Sequence, residues 1–244
     1  MKMKNVQIVL FILFIFIAYV YYNFNFGAGN TDKIFITITT FFFSIFTGFF
    51  ITRQGTRYTK IREIISNFDG KMSGTYRVAG NLSLVVQTRI GEVVKAHYQK
   101  ILETKQWDYH FTHKSNTISS IHNILEEEVG DKKLETLRNQ AVGRILTNMG
   151  DLQTLRKNMI MTFQERIPSF QWFLICFFVL ILLSAISVIP SAGFLLGSVL
   201  KSAFVISILS VLVILYNLDN LHLFENFIGE NSAQDVVDII GGSK

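Results

Sequence analysis

The sequence predicts an all-α polytopic membrane protein: four transmembrane helices, with a helical cytosolic region between the second and the third. Three observations carry this prediction. Half of the 244 residues are apolar and only 17% are charged, against about 25% charged in soluble domains. The apolar residues are segregated: 6–22, 34–51 and 170–189 contain no charge, and 194–216 contains only Lys201. The whole chain has two prolines, so its helices meet few breaks. The divisions that follow are 1–52 (first two spans), 53–168 (helical cytosolic region continuous with the membrane helices), 169–217 (last two spans) and 218–244 (acidic cytosolic tail).

Each apolar run matches the roughly 20 residues that a helix needs to cross a bilayer core. A helix also satisfies its own backbone hydrogen bonds in lipid. The first run is slightly short, but Lys2, Lys4, Tyr19, Tyr21 and Tyr22 extend it at the interfaces. It exceeds the usual core of a secretory signal and ends in tyrosines without a small-residue cleavage site, so it is expected to stay as a span. Orientation follows from the Lys/Arg bias. Residues 53–168 carry 18 Lys/Arg against 12 Asp/Glu, whereas 190–193 carry none and 23–33 only Lys33. The positive-inside rule then puts both termini and the central region in the cytosol, in the plasma membrane.

The second span starts at capping oxygens, Asn30, Thr31 and Asp32. It continues as a helix past Arg53 and Gly55, because Tyr58, Ile61, Ile64 or Ile65, and Phe68 share one side. Its end is expected near Asp69–Gly70. Further amphipathic helices follow over 82–107 and 115–129, from Asp131, and from Asp151, with Gly130 and Gly150 as the breaks. The tail holds Asp219, Glu225, Glu230, Asp235 and Asp238 against Lys244. Docking on the basic central region and plain solvation both fit that charge pattern.

Catalytic signatures are missing: no Gly-rich phosphate loop, His-Glu-x-x-His or Gly-x-Ser-x-Gly occurs. No enzyme and no nucleic-acid partner is expected. One cysteine, Cys176, excludes a disulfide framework and reads as a packed thiol. His110 and His113 lie close in sequence but lack the further ligands a metal needs. Glu126, Glu127 and Glu128 read as a solvated turn with some capacity for cations. Lys201 reads as an interfacial anchor whose stem snorkels.

The second span is the unusual element. Six phenylalanines follow Thr40 within it. At 100° per residue, Thr37, Thr40, Ser44 and Thr47 form a narrow polar stripe, and Phe35, Phe42, Phe46 and Phe49 an aromatic one. Phe41, Ile45 and Gly48 fall between. Small polar stripes serve helix packing, and a hydroxyl or aromatic face can also wall a pore. Spacing alone favours packing.

Several segments resemble bestrophins and the bestrophin-like domain proteins of bacteria. They are Ser44-Ile-Phe-Thr-Gly48-Phe-Phe, leading to Arg57-Tyr58; Met72-Ser-Gly-Thr-Tyr-Arg77; Tyr98 through Trp107-Asp108; Leu155-Arg156 through Ile167-Pro168 to Trp172; and Leu218-Asp219. The resemblance implies a homo-oligomeric ion channel, a pentamer in bestrophins, whose partners are the lipid bilayer, further copies of the chain and inorganic ions. Carried over at Gly48, it implies a central pore lined by the second span and constricted at Phe41, Ile45 and Phe49, with the Thr/Ser stripe packing against a neighbour. The proline of the bestrophin neck is absent. The acidic cluster that clasps calcium in animal bestrophins is reduced to Asp219 and Glu225, which are weak metal candidates, so no cofactor is expected. Anions are the expected cargo, because the central region's net charge of +6 attracts them. The alternative is a non-conducting scaffold or sensor that binds a partner through its cytosolic helices.

Overall fold

A computed structural model describes residues 3–24, 33–129, 136–189, 194–221 and 229–242. Among them nine α-helices and no strand occur. The helices are α1 (Met3–Asn23), α2 (Lys33–Ala79), α3 (Leu84–Thr104), α4 (Tyr109–Thr112), α5 (Thr117–Val129), α6 (Thr136–Gln164), α7 (Ser169–Val188), α8 (Leu195–Asp219) and α9 (Gly229–Ile240). The expected cap at Asn30–Asp32, the break at Gly130–Asp131, and Glu225 all lie outside the described residues.

The chain forms two compact units, Met1–Gly55 with Arg166–Asn220, and Thr56–Glu165 with Leu221–Lys244. Helix α2 contributes to both. The stretches Ile36–Ala79, Thr136–Val188 and Leu195–Asp219 contain segments long and apolar enough to cross a membrane, and Ile8–Asn23 is a shorter apolar helix.

Along α2, Thr39, Phe43, Thr47, Phe50, Gln54, Arg57, Ile61, Ile64, Phe68, Met72, Thr75 and Ala79 form a buried series with steps of three or four residues, flanked by the buried Ile65 and Asp69. This is the spacing of a single helix face, and it explains why α2 does not end at Asp69–Gly70 as the sequence suggested. Phe68, Met72 and Ala79 belong to the core of the second unit. Burying such side chains is worth about 1.5–3 kcal/mol for each large one, more than the roughly 1 kcal/mol that a helical glycine costs. The same balance carries α6 straight through Gly150, where a break was expected. Ile145, Met149 and Leu152 are buried on either side of it.

In the first unit, Phe43 packs with Val179, Leu182, Ile186 and Ile208. Phe50 packs with Ile167, Ile175 and Leu215. The Phe46 ring stacks on Phe178 at 5.4 Å. Lys201 is buried. Its ammonium donates to the Ile189 carbonyl at the end of α7 and lies 4.8 Å from the centre of the Tyr21 ring. A cation at a helix C-terminus is favourable, so this lysine ties α8 to α7 and α1 rather than snorkelling outward. Cys176 is exposed on α7 and is not the packed thiol expected. An all-apolar helix carries no periodicity from which the buried side could be read.

In the second unit, the core joins residues of α2, α3, α5, α6 and α9, among them Ile90, Val94, Ile121, Ile145 and Val236. Gly91 sits where α3 meets the Tyr76 ring. A Cβ there would lie 2.9 Å from the ring and 3.3 Å from Ile240. The tail, left open by the sequence, docks through α9: Ala233 and Val236 are buried. The Asp69 carboxylate accepts hydrogen bonds from Tyr98 Oη at 2.5 Å and from Ser232 Oγ. One carboxylate thus holds α2, α3 and α9 together. Glu127 pairs with Arg89 at 2.6 Å and Glu126 lies 3.8 Å from His122. Both are exposed contacts worth at most about 1 kcal/mol.

Candidate pore-lining helix and its supports

The membrane part of α2 has two distinct sides. Thr39, Phe43, Thr47 and Phe50 are buried, Phe43 and Phe50 against residues of the chain's own α7 and α8. On the opposite side Phe41, Ile45 and Phe49 are 61%, 51% and 59% exposed. These three are four residues apart, so they stack along one face at about one turn per step. Gly48 lies beside them, and an added Cβ there would meet nothing within 4 Å. Thr52 and Arg53 continue the exposed side.

The polar stripe runs along the border between the two sides. Thr37 and Ser44 are exposed, Thr40 is half-buried, and Thr47 is buried, where its hydroxyl donates to the Phe43 carbonyl at 2.5 Å. The aromatic stripe divides too. Phe46 packs inside the unit and Phe42 stacks on Phe178 at 6.1 Å, while Phe49 stays open. The side chain of Phe35 lies outside the described residues. Spacing alone grouped these residues by type. Packing against α7 and α8 regroups them by angle.

Two buried polar ties fix the ends of the neighbouring helices. In the first unit, Asp219 closes α8 and is buried. Its Oδ1 accepts the backbone N–H of Ile167 at 2.8 Å, and its Oδ2 accepts Trp172 Nε1–H at 3.2 Å. The carboxylate fastens the end of α8 to the entry of α7. Both oxygens of this candidate metal ligand therefore already meet protein donors. Among the described residues no group of three or more His, Cys, Asp or Glu is placed to hold a metal ion. In the second unit, Arg57 is buried. It donates from Nε to the Thr162 carbonyl at 2.8 Å and from Nη2 to the Phe163 carbonyl at 2.5 Å. A guanidinium there satisfies terminal carbonyls of α6 and complements the helix dipole.

The segments that carry these ties, Arg57-Tyr58, Ile167-Pro168 with Trp172, and Leu218-Asp219, are spread over most of the chain. The family model for the bestrophin-like domain matches residues 29–236. The chain belongs to the bestrophin-like domain family. No curated protein and no solved structure matches it. This bestrophin-like chain is a membrane protein, and the matched region takes in α2 through α8 and most of α9.

The second unit brings together two histidines, on α3 and α4, that no sequence motif pairs. The rings of His97 and His110 stack with centres 3.5 Å apart. His110 Nε2–H donates to the His97 carbonyl at 2.7 Å, and His97 Nδ1 lies 2.9 Å from Thr117 Oγ1. Burial first, then the charges of His110 and Arg156, push His97 down to about 3. Burial also lowers His110. Both rings are therefore neutral hydrogen-bonding groups near neutral pH.

Proposed function

We propose that this bestrophin-like chain is one subunit of a homo-oligomeric ion channel, a pentamer of the plasma membrane. In this reading α1, α2, α7 and α8 all span the bilayer, and both termini lie in the cytosol. Ions pass down a central path walled by α2 from each copy, narrowest at Phe41, Ile45 and Phe49. Anions are preferred.

The observation that carries the reading is the two-sided α2. Its inner side is used up by α7 and α8 of the same chain, and its outer side presents two aromatic rings and an isoleucine one turn apart. The outer faces of α1 and α7 are also apolar, as a lipid-facing surface is. To its apolar open side α2 adds Thr37, Ser44, Gly48 and Thr52. Small and hydroxyl residues allow close helix contact, which a ring of neighbouring α2 helices needs. Rings of apolar side chains can gate a pore by dewetting, and the positive edges of aromatic rings suit anions. The net charge of +6 over 53–168 concentrates anions at the cytosolic side.

The test is current across planar bilayers containing purified protein, in a salt gradient that separates anion from cation reversal potentials. The triple substitution Phe41→Ala, Ile45→Ala and Phe49→Ala should raise unit conductance severalfold by widening the narrow part. No current, or a conductance that the triple variant leaves unchanged, refutes the pore assignment. Native mass spectrometry in detergent decides the assembly. A closed ring of five is expected, and a monomer or dimer favours the non-conducting scaffold or sensor.

A further inference from the structure

The second unit contains a cavity of about 360 Å³ that conduction does not use. It is of the size that takes a small organic ligand. Phe68, Phe111 and Ile160 supply apolar lining, and Ser119, Arg156 and Lys157 supply polar lining. No Asp or Glu lines it among the described residues. The stacked His97 and His110 rings also line it, and because both stay neutral the charge of the cavity is that of Arg156 and Lys157.

Arg156 is the decisive group. Its Nε–H is buried and meets no acceptor among the described residues. Its Nη2 reaches the His113 carbonyl only at 3.5 Å, the outer limit of a hydrogen bond. A buried donor without an acceptor is costly, and more so on a charged group. Arg57 shows the contrast in this same unit, with short bonds from two of its nitrogens to carbonyls. Arg156 has the charge and the fork but not the acceptors.

We propose that this cavity is a binding site for a small organic anion. A carboxylate or phosphate head would sit on Arg156 and Lys157, and a flat apolar body would lie against Phe68, Phe111 and Ile160. A guanidinium matches the planar oxygen pair of either head. The site is distinct from the α2 face proposed for conduction, and its test reads binding rather than current. The two readings therefore fail separately.

The test is titration calorimetry on the full chain in detergent. The probes are benzoate and phenyl phosphate, with inorganic phosphate (head alone) and benzyl alcohol (body alone) as controls. One benzoate or phenyl phosphate per chain is expected, and each control should bind at least about 10-fold more weakly. The tighter of the two aromatic anions identifies the head group. Arg156→Gln should weaken that anion by roughly 10- to 100-fold, the range for loss of a charged hydrogen bond. Ser119→Trp, at an exposed position of α5, fills the cavity without touching the core and should abolish binding while the unfolding transition stays in place. Absence of saturable binding by both aromatic anions overturns the proposal. So does binding that survives both substitutions, or inorganic phosphate binding as tightly as phenyl phosphate.

Discussion

Replacing Asp219 tests whether the carboxylate is a structural tie between α8 and α7 or a remnant of a metal site. In Asp219→Asn one oxygen becomes an amide nitrogen, which must face either the Ile167 N–H or the Trp172 Nε1–H, donor against donor. One charge-assisted bond is lost, at about 1.5–3 kcal/mol. Asp219→Ala loses both, at 2.8 and 3.2 Å, and leaves two donors in a site where the residue is only 5% exposed. The expected loss there is about 3–5 kcal/mol. The assay is denaturant unfolding of the full chain in detergent, in a Trp107→Phe background that leaves Trp172 as the sole tryptophan. Its emission reports the freed indole N–H directly, so a spectral change should accompany the lost stability. Chelating calcium should change neither signal in the parent protein, because protein donors already use both oxygens. Two results would refute the reasoning: Asp219→Ala within about 0.5 kcal/mol of its parent, the size of an ordinary surface change, or a chelator that reproduces the substitution.

Three further outcomes follow from the packing. His97 resists its proton down to about 3 in the folded chain, whereas the unfolded chain takes it near 6.5. A group depressed in this way loses stability as pH falls below its unfolded value. Between about pH 7 and about pH 5 the wild type should therefore lose about 2 kcal/mol relative to His97→Gln, read by urea unfolding at each pH. Equal slopes for the two proteins would remove His97 from the account. Gly150→Ala, with open space around the new Cβ, should stabilise the chain by about 0.5–1 kcal/mol; a loss would mean that α6 needs glycine there. Gly91→Ala, which forces a methyl against the Tyr76 ring, should cost about 1–3 kcal/mol and speed proteolysis of α9. Unchanged protection would contradict the close approach.

What the sequence made legible divides by the range of the forces involved. An uncharged run of about 20 residues has few alternatives to a span, because an unpaired backbone in lipid costs several kcal/mol for each group. The extension of α2 was readable because Tyr58, Ile61 and Phe68 repeat at helical spacing. Its end was not, because the buried Phe68 and Met72 on either side of Gly70 carry the helix on, as Met149 and Leu152 carry α6 past Gly150. Packing here comes from residues far along the chain. The polar ties lie beyond local reading for the same reason: Arg57 meets its carbonyl 105 residues on, Ile167 its carboxylate 52 on, and Asp69 its serine 163 on. The face proposed for the pore stands between these cases. Phe41, Ile45 and Phe49 came together only through the bestrophin resemblance carried over at Gly48, since spacing alone put Phe49 in a different stripe, and which side of α2 is open depends on what the rest of the unit covers. Thr47 shows this most clearly. It belongs with Thr37 and Ser44 by chemistry and periodicity, yet it lies on the covered side. Substituting the whole stripe would therefore mix two effects, a changed open face and a disturbed core. Substitutions at Phe41, Ile45 and Phe49 reduce that confusion, because each of the three is more than half exposed.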